Sequence, residues 1–352
     1  MADDRSTLSR LVRIDLDDPA WQELVANHPQ ALPFHHAAWA QMLAECYGFS
    51  GFGLALEDGQ RGWVAGIPVI ETRGLLGRRR WISLPFTDIC PPLVFGDGDL
   101  RVRLELEVEA ARKDAGVTSA EFRAAPLGED ALPRPAGLRH TLQLERDPEK
   151  TFDRLKPSVR NKIRSADRSG VTIARAENED DLTRTFYALH TATRRRLGVP
   201  VQPRRYFSLL WRRVLEAGLG FLLVAKAGGK PVAGAVFLGW NGTVVYKYGA
   251  SDADAWKLRP NNAVLWHAIN WACENGYSTF DFGRTESGNQ GLREFKRGWG
   301  TDETPLVYTL LGPAEVSGSS TERGARLMGP VIRRAPPFVC RGIGRALYRY
   351  AA

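Results

Sequence analysis

A chain of 352 residues, 43% hydrophobic and 25% charged, is long enough for two domains and too apolar to be disordered. Its net charge of +8 suits acidic partners such as nucleotide-linked substrates, nucleic acid or an anionic membrane surface, although an arginine-rich composition alone would also give it. Four scattered cysteines (Cys46, Cys90, Cys273, Cys340) form no CxxC pair and have no histidine at ligand spacing, which speaks against a metal site or disulfide framework and suits a reducing compartment. The opening residues MADDRST are polar, with no secretory apolar core and no run long enough to span a bilayer, so a cytoplasmic protein is expected.

In chain order, helices are expected at Trp21–Ala26 and Ala37–Tyr47. Strands follow at Phe52–Glu57 and Gly62–Glu71, joined through Asp58-Gly59, a strong hairpin signal. Trp81–Leu84 reads as a strand, Leu100–Ala115 as a helix capped by Gly116, and Ser119–Arg123 as a strand. Pro126, Pro133 and Pro135 mark a linker, and His140–Leu144 alternates like a strand. Asp147 caps a helix reaching Ser169 that Pro157 kinks or divides. Val171–Arg175 is a strand, with helices at Asp180–Leu197 and Pro203–Ala217.

Phe221–Ala225, Val232–Gly239 and Thr243–Tyr248 form an antiparallel meander, turning at Gly228-Gly229 and Asn241-Gly242. Asn261 or Asn262 caps a helix to Asn275 whose apolar stripe is Val264, Leu265, Ala268, Trp271 and Ala272. Strands at Thr279–Phe282 and Pro305–Leu311 complete the pattern. Both halves run helices, meander, helix, strand, which suggests duplication of one α/β unit. The expected division is 1–136, 137–312, and a tail 313–352.

That tail mixes Arg323, Arg326, Arg333, Arg334, Arg341, Arg345 and Arg349 with apolar residues. The mixture suits an amphipathic segment lying peripherally on an anionic membrane surface; the plainer reading is a helix packed on the body with its arginines in water. Arg341 to Ala346 spells R-x-x-G-x-A, a pyrophosphate-loop pattern, but no core strand precedes it, so it reads as coincidence.

The stretch from Val245 to Gly300 joins a strand, a loop, a capped helix, a strand and a basic, glycine-rich loop, the kind of opening where ligands bind in a mixed sheet. It contains Tyr248-Gly249-Ala250-Ser251, Arg259-Pro260-Asn261-Asn262, Asp281-Phe282-Gly283-Arg284, and Phe295-Lys296 with Trp299-Gly300. Upstream lie Ser158-Val159-Arg160-Asn161-Lys162-Ile163-Arg164, Leu197-Gly198-Val199-Pro200-Val201, Phe34-His35-His36 and Ser83-Leu84-Pro85-Phe86-Thr87-Asp88. In this order the motifs resemble the FemAB family of peptidoglycan-bridge aminoacyltransferases and its GNAT-like relatives, including those associated with exopolysaccharide systems. The resemblance covers most of Phe34 to Leu311. It implies an α/β fold of two tandem GNAT-like domains, the second catalytic, and transfer of an acyl or aminoacyl group to an amine of an envelope-glycan precursor. The acceptor would be a small-molecule or lipid-linked glycan. The donor would be an acyl-CoA or an aminoacyl-tRNA, with no metal.

Acyl transfer builds negative charge on a carbonyl oxygen, which a fixed ammonium stabilises. The resemblance places a Phe-Lys pair at the reaction centre, so Lys296 is the leading catalytic candidate, with Phe295 holding its stem; a phosphate-binding or solvated lysine is the plainer reading. Arg284 suits bidentate binding of phosphate or carboxylate. Asp281 could take the acceptor's proton or simply pair with Arg284. Arg160 and Arg164 share a helix face, with Lys162 beside them, and would suit an anionic ligand; a solvated basic face is the alternative. Tyr246 and Tyr248 alternate along a strand, point the same way and could line the acceptor pocket or the core. Asp88 lies in a proline-flanked loop, where the resemblance suggests acceptor contact and a turn is the plainer role. Arg259 and Asn262 stand where an acetyltransferase would carry its glycine-rich phosphate loop. A tRNA donor would favour the basic helix, although no coiled-coil arm is visible. A non-catalytic membrane scaffold is the rival from another class. DNA binding is not expected, because no recognition helix or stacking platform is present.

Overall fold

The computed structural model describes residues 10–59, 62–74, 77–96, 98–126, 131–313 and 328–348. The chain divides into two compact units. The first holds residues 1–136 together with Leu306–Ser319, and the second holds 137–305 with Ser320–Ala351. The sequence reading put Pro305–Leu311 in the second domain. Instead Thr309, Leu310 and Leu311 pair antiparallel with Phe122, Glu121 and Ala120, so a long-range ladder draws that segment to the first unit.

In the first unit β1 (Arg10–Ile14), β2 (Ser50–Asp58), β3 (Gly62–Arg73) and β4 (Arg79–Ile82) form an antiparallel run. A short β5 (Leu93–Val94) also pairs with β3. β4 then pairs in parallel with β6 (Ser119–Phe122), and α3 (Gly98–Asp114) makes the crossover between them. α1 (Pro19–Asn27) begins where Asp18 accepts a hydrogen bond from the Ala20 N–H at 2.9 Å and proline occupies the first turn. α2 spans Ala37–Tyr47 and ends on Gly48 in the left-handed region. α3 lays Leu104 and Val108 on a core of Phe52, Leu54, Trp81 and Phe122.

The second unit repeats the scheme. β7 (Leu132–Gln143) leads to α4 (Pro148–Arg154) and α5 (Pro157–Arg168), and Pro157 divides the two helices by removing a backbone donor. β8 (Val171–Arg175) lies at one edge of the strand order β7-β12-β11-β10-β9-β8. α6 (Tyr187–Leu197) and α7 (Arg204–Leu210) each adjoin a π-type turn, at 181–186 and 211–215. β9 (Gly220–Ala227), β10 (Lys230–Trp240) and β11 (Thr243–Ser251) form the meander. α8 (Pro260–Glu274) crosses over to β12 (Thr279–Thr285), which pairs in parallel with β11. α9 (Gln290–Arg297) follows, then β13 (Asp302–Leu311). Each unit is thus an antiparallel meander followed by a helix and a parallel strand, a mixed α/β architecture.

Three local readings change. Pro133 and Pro135 belong to β7, not to a linker. Two residues apart, they direct their missing N–H groups toward one edge and leave the other able to pair. α8 starts at Pro260, so its N-cap is Arg259, held left-handed at φ 57°, ψ 35°, and neither asparagine caps it. The segment carrying Lys296 is a helix, started by Asn289 accepting a hydrogen bond from the Leu292 N–H at 3.1 Å.

The described part of the tail comprises helical residues 328–334 (α10) and Pro337–Leu347 (α11). Ile332 and Cys340 are fully buried, and Tyr348 donates to the Pro200 carbonyl at 3.1 Å, so the tail packs on its own unit while Val331, Phe338, Arg333, Arg334 and Arg341 face outward. A Cβ on Gly344 would lie 1.8 Å from the Val201 carbonyl oxygen; the glycine in the R-x-x-G-x-A string serves close packing. Arg323 and Arg326 lie outside the described residues. Among those described, no helix is long and apolar enough to cross a membrane.

Candidate active site

β11 and β12 pair over only Thr243–Val245 against Thr279–Asp281. Beyond that, β11 stays with β10 and β12 stays with β7, so the two strands part. Just past the parting β12 is irregular, its register with β7 shifting between Asp281 and Arg284. Gly283 takes φ 70°, which a side chain would resist.

Asp281 holds this kink from within. One carboxylate oxygen accepts the Gly283 N–H at 2.7 Å and the other accepts from Arg139 Nε at 2.8 Å. The side chain is buried. Each oxygen thus already accepts one bond, and the ion-pair partner is Arg139 on β7 rather than the expected Arg284.

The kink turns two carbonyls toward α9. The Lys296 ammonium donates to the Gly283 oxygen at 2.8 Å and the Arg284 oxygen at 3.0 Å, and the residue is only 3% exposed. A cationic head is thus fixed beside the strand opening, out of bulk water. Phe295, half-buried, packs toward Trp299 with ring centroids 6.4 Å apart.

α9 is clamped from its other side. Glu303 on β13 accepts from Arg293 Nη2 at 2.7 Å and from Arg297 Nη2 at 2.8 Å. The bond from Arg293 leads in holding its carboxyl far down, at about 2. Glu303 also meets His140 Nε2 at 3.1 Å, while His140 Nδ1 lies 3.4 Å from the Thr285 hydroxyl. Burial first, and the Lys296 charge next, push the His140 pKa down, so the neutral imidazole is favoured. Arg139, His140 and Glu303 went unnoticed in the sequence because each acts through a partner distant in the chain.

The other expected residues are dispersed. Tyr246 and Tyr248 do not share a face. The β10–β11 register shifts so that Phe237 opposes Tyr246 and Val236 opposes Tyr248, placing Lys247 in a bulge that breaks the alternation. Tyr246 packs over Gly249 in the core, its hydroxyl pushed up to about 12 by burial. Tyr248 joins Tyr206, Phe207 and His190 on the opposite face, its hydroxyl 2.7 Å from that of Tyr206. His190 bonds Gln202 at 2.9 Å and is held neutral by burial, at about 3.

On α5, Arg160 pairs with Asp153 at 3.3 Å and Arg164 lies over the Phe152 ring at 5.3 Å, so part of this basic face is already satisfied; Lys162 is half-buried beside them. Arg259 is exposed at the start of α8, where Asn262 is buried and its Nδ2 finds no acceptor among the described residues. Asp88 belongs to the first unit, where its carbonyl accepts from the Tyr308 hydroxyl at 2.8 Å.

Residues 154–297 match the family described as Acetyltransferase (GNAT) domain. A Lipid II:glycine glycyltransferase of Staphylococcus haemolyticus (strain JCSC1435) is 35% identical over 86 residues, 23% of this chain and 20% of that protein. A Staphylococcus epidermidis protein of the same description is 33% identical over 93 residues. The chain thus spans about a fifth of the length of the curated relatives it matches. Among solved structures, that of FemX superposes with TM-score 0.69 at 14% identity, covering 86% of this chain and 98% of FemX. A tandem GNAT protein from the clavulanic acid biosynthesis pathway gives TM-score 0.50 at 12% identity, covering 87% of this chain and all of that one. The fold is that of a tandem GNAT protein. Within that class, residues 154–297 match a GNAT acetyltransferase domain, and the fold is similar to that of FemX.

Proposed function

We propose that this protein is an N-acyltransferase that joins an acyl group to the amine of a cell-envelope glycan or peptidoglycan-like precursor. The observation that carries the reading is the Lys296 ammonium, fixed out of bulk water beside the place where β11 and β12 part. The acceptor's neutral amine attacks the donor carbonyl, the tetrahedral centre collapses with cleavage of the donor's C–S or C–O bond, and the amine's proton ends on the departing sulfur or oxygen, so no covalent enzyme intermediate is needed. Negative charge grows on the carbonyl oxygen. A cation already held by two carbonyls stabilises that charge without having to reorganise. Asp281 and Arg139 keep the β12 kink that aims those carbonyls.

The described lipid II acceptor of the staphylococcal relatives supports a lipid-linked precursor. The start of α8 supports an acyl-CoA donor: helix-terminal N–H groups, the exposed Arg259 and the buried Asn262 donor suit its phosphates, without the usual glycines. The exposed Val331 and Phe338, flanked by Arg333, Arg334 and Arg341, support peripheral contact with an anionic membrane.

The test supplies the purified protein with lipid II-type acceptor and either acetyl-CoA or glycyl-tRNA, and reads amide product by mass spectrometry. Lys296→Met keeps the side chain's bulk and removes its charge. It is expected to lower kcat about 10²- to 10³-fold while circular dichroism stays native. Near-wild-type turnover with either donor rejects the role, and product from glycyl-tRNA alone identifies the aminoacyl-tRNA route.

A further inference from the structure

A second concentration of charge lies in the first unit, outside the chemistry just described. Arg80 and Ile82 on β4 stand opposite Ser119 and Glu121 on β6, so Arg80 and Glu121 share one sheet face. Arg123, two residues beyond Glu121, returns to that face, and Arg134 joins from the start of β7. Glu121 is nearly inaccessible and forms ion pairs with both Arg123, at 3.1 Å, and Arg134. The Arg123 and Arg134 guanidiniums stand 4.6 and 5.3 Å from the centroid of one ring, Tyr308, which its own hydroxyl fixes to the Asp88 carbonyl.

Three guanidiniums thus surround one carboxylate. The Asp88 charge is felt at Arg123 as well, which among the described residues leaves an excess of one to two positive charges. Burial, and then the charges of Arg134 and Arg123, act against the Arg80 cation, while Glu121 supports it. Among the described residues, the Nε–H groups of Arg80, Arg123 and Arg134 are buried without a hydrogen-bond acceptor; that of Arg123 is in ion-pair contact with Glu121 but misaligned. Like charges held this close, with donors unspent, call for an anion that brings several acceptor oxygens.

We infer that Arg80, Arg123 and Arg134 form a binding site for a phosphate-class oxyanion, a phosphate monoester or a diphosphate. The Tyr308 ring keeps the Arg123 and Arg134 guanidinium planes in place, and Glu121 sets the spacing and limits the net charge. Guanidinium forks match phosphate oxygens in pairs, and a dianion neutralises the excess. This inference does not rest on the acyl-transfer reading, because its readout is binding.

The experiment is calorimetric titration of the full chain with inorganic pyrophosphate at fixed ionic strength, with chloride as the control. The wild type is expected to bind saturably. Arg134→Gln, at a site 28% exposed and so tolerant of change, is expected to weaken binding about 10- to 100-fold. Glu121→Gln removes the competing carboxylate and is expected to strengthen it. Lys296→Met should bind as the wild type does, which separates failure here from failure of the catalytic proposal. A parallel titration with uridine diphosphate distinguishes sources: tighter binding than pyrophosphate assigns the group to a nucleotide-linked ligand, equal binding to a free diphosphate. No saturable pyrophosphate binding by the wild type, or the same affinity in Arg134→Gln, overturns the inference. So does a Glu121→Gln protein that is folded by circular dichroism yet binds more weakly.

Discussion

Replacing Asp281 by asparagine separates holding the site from doing its chemistry. The carboxylate is 2% exposed and its partner Arg139 24%. Breaking a fully buried ion pair costs about 3–5 kcal/mol, but water reaches Arg139, which lowers the expected cost to about 2–3 kcal/mol. Asparagine keeps an oxygen for the Gly283 N–H, so that bond, worth about 1 kcal/mol, survives. For a unit the size of the second one, about 200 residues, each kcal/mol moves Tm by about 2–4 °C, so a drop of about 4–12 °C is expected. Thermal melts followed by circular dichroism read the shift. With the donor and acceptor that the wild type uses, kcat at a permissive temperature is expected to stay within about tenfold, because the proposed reaction routes no proton through Asp281. A variant with unchanged Tm and a thousandfold loss of turnover would refute the reasoning and restore Asp281 as an acid–base group.

Burial depresses the pKa of His35 to about 4 and that of His190 to about 3, against an ordinary 6.5. The unfolded chain therefore binds protons below pH 6.5 that the folded chain refuses, so stability is full above 6.5 and falls with acid, by roughly 2 kcal/mol per histidine at pH 5. Urea midpoints at pH 7 and pH 5 measure it, and equal midpoints contradict it. Arg259→Gly is expected to raise stability by about 1 kcal/mol by relieving a left-handed residue at the start of α8; a lower Tm would mean that the arginine side chain outweighs its backbone strain. Phe338→Glu, at a site 67% exposed, is expected to abolish cosedimentation with anionic phospholipid vesicles while leaving Tm unchanged. Unchanged cosedimentation removes that helix from the membrane reading.

The residues themselves determined most of the elements. α2 is legible from Ala37 to Tyr47 because its stop signal, Gly48, is local. The break at Pro157 and the turns at Asn241-Gly242 and Gly228-Gly229 depend on backbone constraints each residue carries wherever it sits. The proximity of Lys296 to the DFGR strand was legible as motif order. Only the tertiary structure decided what those side chains meet. Asp281 finds Arg139 across 142 residues, a pairing no spacing announces. One bulged residue sends Tyr246 and Tyr248 to opposite faces, and a bulge depends on the partner strand as much as on its own. Arg80, Arg123 and Arg134 look like scattered surface charges along the chain; strand register puts them round one carboxylate. Turns and caps are written within a few residues, whereas ion pairs and strand registers are settled by whichever distant segments bury the most apolar surface together.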